Sequence, residues 1–254
     1  MEKAIRRKLA VEDYHFSQEE LSWLLDHLAD LNPAIRDNLV YESLAGALYQ
    51  ESLTQEEEAR ILNLLQGDKG LDSGEVLARS FASLLAAIFL ERDRNGKRSL
   101  EVKIRRALFD KALNLFETEK NYQAYDPKLG WIHTHAHEAD FLAQTLGHPQ
   151  ISKEAFHRGL SILRNKFEKL EEPLQASEER RWAQVLILAW SNQLVYPLDL
   201  LTYLKTFHFS SANPFSYLGQ TAFDHFLLDL YLQLNKQGAL REDLKKWIEG
   251  QISY

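Results

Sequence analysis

The sequence predicts an all-α protein, an irregular HEAT-like α/α superhelix built from antiparallel helical hairpins. Two observations lead there: capping residues mark where helices begin, and between them apolar residues recur at helical spacing. A third is that glycine and proline stops cut the chain into helix-sized pieces joined by short connections, which makes neighbours pack antiparallel.

The starts come first. Ser17 with Glu20 and Thr54 with Glu57 fit the capping box, in which hydroxyl and carboxylate each satisfy a helix-end amide. Asn32-Pro33 and Asp126-Pro127 place a cap before a proline, whose missing N–H costs nothing in a first turn. Four helix starts are expected at these positions. Apolar stripes follow them: Leu21, Leu24, Leu25 and Leu28, then Leu39, Leu44 and Leu48. Phe81, Leu84, Leu85, Ile88 and Phe89 continue the pattern, as do Leu108, Leu113 and Phe116, and Trp182, Val185, Leu186 and Ala189. No stretch alternates as a strand. Stops are expected at Gly67 to Gly70, Asn95-Gly96, Gly147, Pro173, Pro197 and Gly238. About a dozen helices result. No clean repeat period and no low-complexity linker breaks the run, so residues 1–254 are expected to form a single helical-repeat-like domain.

Composition narrows the function classes. The chain has 254 residues, 45% of them hydrophobic, enough to bury a core. It has no cysteine, so neither disulfides nor thiolate metal sites arise, and any metal must use His, Asp or Glu. With 30 Lys and Arg against 37 Asp and Glu, the formal charge of −7 opposes phosphate binding, so no nucleic-acid partner is expected. Trp182 to Leu198 approaches membrane-span length but carries Gln184, Ser191, Asn192, Gln193 and Pro197, which fit a buried helix better than lipid. Residues Met1 to Ala10 carry no secretory pattern, and the expected location is the cytoplasm.

One segment concentrates chemistry. Five of nine histidines lie between His133 and His157, three of them in Trp131-Ile-His-Thr-His-Ala-His-Glu-Ala-Asp140. In a helix starting at Asp126-Pro127 or Gly130, His133, His137 and Asp140 share a stripe, and His135 and Glu138 point elsewhere, exposed or at a neighbouring interface. Two histidines four apart and a carboxylate could bind a divalent ion such as Zn, Mn or Fe and leave a position for water. His133 near the positive end of the helix dipole would favour its neutral form. Because helix side chains lean toward the N-terminus, His137 with Asp140 is the firmer pair. The structural alternative has Asp140 accepting a hydrogen bond from His137 in a network that ties helices together. Trp131 is expected as a core anchor at the helix start, or as a pocket wall beside His133.

Other patterns carry less. His137-Glu138 opens like a zinc-protease motif, but Phe141 stands where the second histidine belongs. Glu154 with His157 and Glu12 with His15 have a di-iron spacing but no inward glutamates to complete it, although His157 could face the His133 helix. His225 and Asp229 could form a local structural pair. The glycines do not make a phosphate loop, and no Gly-x-Ser-x-Gly elbow occurs.

At Gly130-Trp131-Ile132-His133, Ala136-His137 and Ala139-Asp140, the chain resembles a bacterial domain-of-unknown-function family, the one numbered 2785. That family has a similar Gly-Trp-x-His-x-x-x-His-x-Ala-Asp signature. The resemblance implies an α-helical superhelix, a bacterial cytoplasmic origin, and a need for His133, His137 and Asp140 rather than His135; it brings no reaction with it. Upstream the family tends to an acidic residue, an aromatic and Arg-Gly, where this chain has Asn121, Tyr122, Gln123 and Ala124. The leading expectation is a non-enzymatic scaffold or binding module for a protein, peptide or small ligand. The alternative is a metal-dependent hydrolase or metal-binding protein using His133, His137 and Asp140.

Overall fold

The structure, a computed structural model, describes residues 1–192, 196, 198–211 and 213–252. Among these residues it is all-α apart from one short hairpin. In order, the helices are α1 (Glu2–Leu9), α2 (Gln18–Asp26), α3 (Pro33–Ile35), a π-turn (Arg36–Tyr41) running directly into α4 (Glu42–Tyr49), and α5 (Gln55–Leu65). There follow α6 (Val76–Arg94), α7 (Val102–Thr118), the strands β1 (Tyr125–Asp126) and β2 (Gly130–Trp131), α8 (Thr134–Leu146) and α9 (Lys153–Glu168). The chain continues through α10 (Glu179–Ser191), α11 (Leu200–Leu204), α12 (Ser216–Lys236) and α13 (Glu242–Gln251).

Local sequence explains three of the four expected starts. Ser17 and Thr54 each accept from the amide three residues on, while Glu20 and Glu57 reach back to the cap amides. The Asn32 side chain accepts from Ala34 N ahead of α3, with Pro33 in the first turn. Stops at Gly96 and Gly238 follow α6 and α12, and Gly147 ends α8. The stop expected at Pro197 lies outside the described residues, as does Gln193 of the apolar stretch considered as a span. Among the described residues, no helix is long and apolar enough to cross a membrane.

The fourth start is corrected. Asp126 begins no helix; its Oδ1 accepts from Lys128 N and Leu129 N, closing a turn that pairs Tyr125 with Trp131 and Asp126 with Gly130. The cause is tertiary. Arg36, fully buried in the π-turn, donates to the carbonyls of Leu129 and Trp131 and also holds Asp30 O and Asp37. Gly130 has φ +72°, and a Cβ there would lie 2.8 Å from Pro33 Cβ, so only glycine lets the hairpin seat against α3. The helix therefore begins later, at Thr134.

α8 is the central element: it packs against α6, α10 and α7, while α7 meets α9 and α10 meets α12. A contiguous apolar cluster extends from Ile5 to Ile248 and surrounds it. Peripheral pairs read from sequence resolve differently. His225 Nδ1 lies against Glu179 of α10 rather than pairing with Asp229. Glu12 and His15 fall after α1 has ended, where His15 pairs with Asp13, and His157 is exposed on α9 instead of facing α8.

Candidate functional site: a cleft along α8

His133 is not a helix-face residue. It is the residue before α8, in the left-handed region at φ +49°, a conformation that costs a non-glycine residue about 1 kcal/mol or more. Its amide donates to Ala124 O, which fixes the crossing from hairpin to helix. The ring lies flat against Trp131, centroids 4.4 Å apart and planes 3° apart, with Tyr125 edge-on to Trp131. Trp131 is 47% exposed, so it is not a core anchor; it shields His133 from outside. Burial, not the helix dipole, is the chief cause that lowers the His133 pKa.

His137, one turn into α8, is 5.7 Å from His133 between ring centroids and edge-on to Phe81. Its Nδ1 lies 2.7 Å from Ser80 Oγ, and the same Oγ lies 2.5 Å from the carbonyl of Ile132. A hydroxyl has one proton. If it goes to Ile132 O, which can only accept, then His137 Nδ1–H must donate to Ser80, and Nε2 is left bare. Burial holds this imidazole neutral with its pKa down to about 3, reinforced by His133, Arg181 and Arg36.

Asp140 does not pair with His137. Both carboxylate oxygens accept from Arg181 Nη1 of α10, at 3.1 and 3.0 Å, while the His137 Nδ1 partner is Ser80 of α6. Burial pushes the Asp140 carboxyl up to about 6 even against Arg181. What His137 and Asp140 share is a cleft of about 420 Å³ between α4, α6, α8 and α10. Leu84, Ile88, Ala143 and Leu188 give it apolar walls, and Tyr41, Tyr49, Glu91, Gln144 and Gln184 add polar groups. Tyr49 donates to Glu91 at 3.1 Å, and its hydroxyl pKa is raised by burial first, then by Glu91, Tyr41 and Asp140.

Ser80, Tyr41, Tyr49, Glu91 and Arg181 escaped sequence reasoning because they come from distant helices and carry no local motif. Among the described residues, no three histidine or carboxylate side chains converge as a group able to hold a metal ion.

The other two polar residues of α8 face the opposite way and, of the two settings expected for them, lie at an interface with neighbouring helices and not in solvent: His135 is 2% and Glu138 0% accessible. His135 lies between Tyr122, at 4.3 Å, and Trp182, at 6.1 Å, and neither ring nitrogen has a hydrogen-bond partner. Glu138 has only the carboxyl of Glu119 as a hydrogen-bonding neighbour, without ordinary hydrogen-bond geometry. Burial, then the Glu119 carboxylate, raises the Glu138 pKa well above its ordinary value, and burial lowers that of Lys166. Glu119 is itself engaged, paired with Arg79 at 2.7 Å, while its carbonyl accepts from Lys166.

Neither the curated proteins nor the solved structures include a match to this chain. A family model does match, over residues 69–232, described as Protein of unknown function (DUF2785). That span runs from before α6 into α12, and so includes Ser80, Glu91, the hairpin, all of α8 and Arg181, while Tyr41 and Tyr49 precede it. With well over half its length covered, the chain belongs to the DUF2785 family.

Proposed function

We propose that the chain is a binding module for a small polar molecule, which lodges in the cleft along α8. The observation that carries this is the Ser80–His137 hydrogen bond, which presets one tautomer and leaves Nε2 for a cavity shared with the Asp140–Arg181 pair. The size is right: ligand sites span roughly 300–1,000 Å³ and combine apolar walls with a few convergent polar groups. Preset side chains bind at lower entropic cost than mobile ones. On this reading the chain works as one HEAT-like helical unit in the bacterial cytoplasm.

The metal-dependent alternative is less well supported. It would have Arg181 vacate Asp140 and bring His133, now stacked under Trp131, into line with His137.

Thermal denaturation with a panel of polar metabolites tests the proposal. A ligand at about 100 times its Kd raises the wild-type melting temperature by about 5 °C or more, and Asp140→Asn loses the shift. A panel that stabilises neither protein, or both equally, overturns the cleft reading. Elemental analysis of protein purified without a His tag is the second arm: stoichiometric Zn, Mn or Fe lost in His137→Ala would favour the metal alternative instead.

A further inference from the structure

We infer that the cleft takes a ligand bearing a protonated amine or guanidinium group, with Arg181 acting as an internal stand-in for that cation. This deepens the ligand-binding reading above and rests on it.

The two carboxylates in the cleft are compensated unequally. Asp140 is the deeper partner of its ion pair, with a side chain 19% exposed against 57% for Arg181. Arg181 reaches in from the rim and spends a single nitrogen, Nη1, on both oxygens. That arrangement is not the two-nitrogen fork in which guanidinium binds carboxylate most firmly, and a half-exposed side chain gives up little packing when it swings away. Arg181 is therefore a replaceable counter-ion. Glu91 has less: the Tyr49 hydroxyl bonds it, and among the described residues it makes no ion pair. Arg94, near this edge, spends its Nε on Gln144 Oε1.

The neutral groups point the same way. His137 is set as an acceptor by Ser80, because Nδ1 carries the proton and Nε2 offers a lone pair. Tyr41 and Tyr49 add aromatic surface on the α4 side, which attracts cations through the ring quadrupole. Glu91, Asp140 and His137 Nε2 are thus three acceptors around one cavity, faced by Arg181 at the rim and by Arg94 on Gln144 at its edge. A donor-rich cation satisfies all three, whereas an anion would meet two carboxylates.

The test uses three probes with the same butyl chain: n-butylamine, butyrate and n-butanol. Binding is followed by NMR through the ring resonances of Tyr49 and His137 in the full-length protein. Expected is binding of n-butylamine in preference to the other two. Asp140→Asn, with Glu91→Gln as a second variant, weakens it by about tenfold or more. Arg181→Gln tightens it, by about threefold, because the internal competitor is gone. A tightening of this kind is not produced by a merely structural ion pair, and circular dichroism confirms that each variant is folded.

Preferential butyrate binding that Arg181→Gln abolishes overturns the cation assignment and leaves the cleft reading intact. So does failure of n-butylamine while the metabolite panel still finds a ligand dependent on Asp140. If the panel finds none either, both readings fall.

Discussion

The two faces of α8 hold similar side chains in opposite circumstances. On the cleft face, His137 has Ser80, Asp140 has Arg181, and the remaining polar surface looks into open space. On the back face, neither His135 nitrogen has a hydrogen-bond partner, and Glu138 has only the carboxyl of Glu119 beside it. Each unpartnered atom costs on the order of 1–3 kcal/mol. Polar groups at the cleft thus keep partners and remain available to a ligand, while those behind α8 consume stability that the surrounding apolar core must offset.

The largest effect expected from this difference is at Trp182. It is fully buried, edge-on to Phe116 at 5.3 Å and Phe167 at 4.8 Å, and it walls His135 on the back face. Trp182→Ala should cost about 3–5 kcal/mol in urea denaturation. Asp140→Asn, which removes an ion pair whose Arg181 end is more than half exposed at the rim and relieves the burial of a charge, should cost less than about 1 kcal/mol. Comparable losses would erase the distinction between a load-carrying back face and a functional front.

Acid sensitivity sharpens it. The His135 pKa falls from an ordinary 6.5 to about 3, driven by burial and then by Lys166. Unfolded chain therefore takes up this proton near pH 6.5, and folded chain does not until about pH 3. The contribution of a neutral His135 is full above pH 6.5 and drains as the pH falls toward 3. At pH 5 the loss is roughly 2 kcal/mol, about 1.4 per pH unit. His137 is shifted the same way, so His135→Leu should remove only part of the decline measured between pH 7.5 and pH 5. An unchanged decline in that variant would locate the acid sensitivity elsewhere. Glu138 has the opposite sign: its raised pKa gives a contribution that is full below the ordinary 4.5 and lost as the pH rises. The back face thereby narrows the stable range from both ends.

Legibility followed the range of the interactions. Ser17 with Glu20 and Thr54 with Glu57 could be read directly, because a capping box is complete within four residues. Asp126-Pro127 carried the same kind of local signal and gave a hairpin instead, since the deciding group was Arg36, some ninety positions earlier. Helical periodicity separated His137 and Asp140 from His135 and Glu138 correctly, because the geometry of one helix suffices for that. It could not show that both faces are covered. Of the two settings expected for His135 and Glu138, exposed or at a neighbouring interface, the packing of α6, α7 and α10 around α8 produces the second. Arg181 and Ser80 carry no mark in the sequence, for their roles exist only once α6, α8 and α10 have packed.

A modest stability effect carries the most information about the cleft. Ser80→Ala removes one hydrogen bond to His137 and one to the Ile132 carbonyl, and should cost about 2 kcal/mol, less than Trp182→Ala. Its distinctive consequence is chemical. With Ser80 present, the nitrogen chemical shifts of the His137 ring should report a protonated Nδ1 and a bare Nε2 as a single tautomer. Without it, nothing specifies which nitrogen carries the proton, and the shifts should move toward a mixture while the fold persists. A bare Nδ1 in the wild-type protein would reverse the assignment: the cleft would then present an N–H donor at Nε2, leaving Glu91 and Asp140 as the acceptors for a cation.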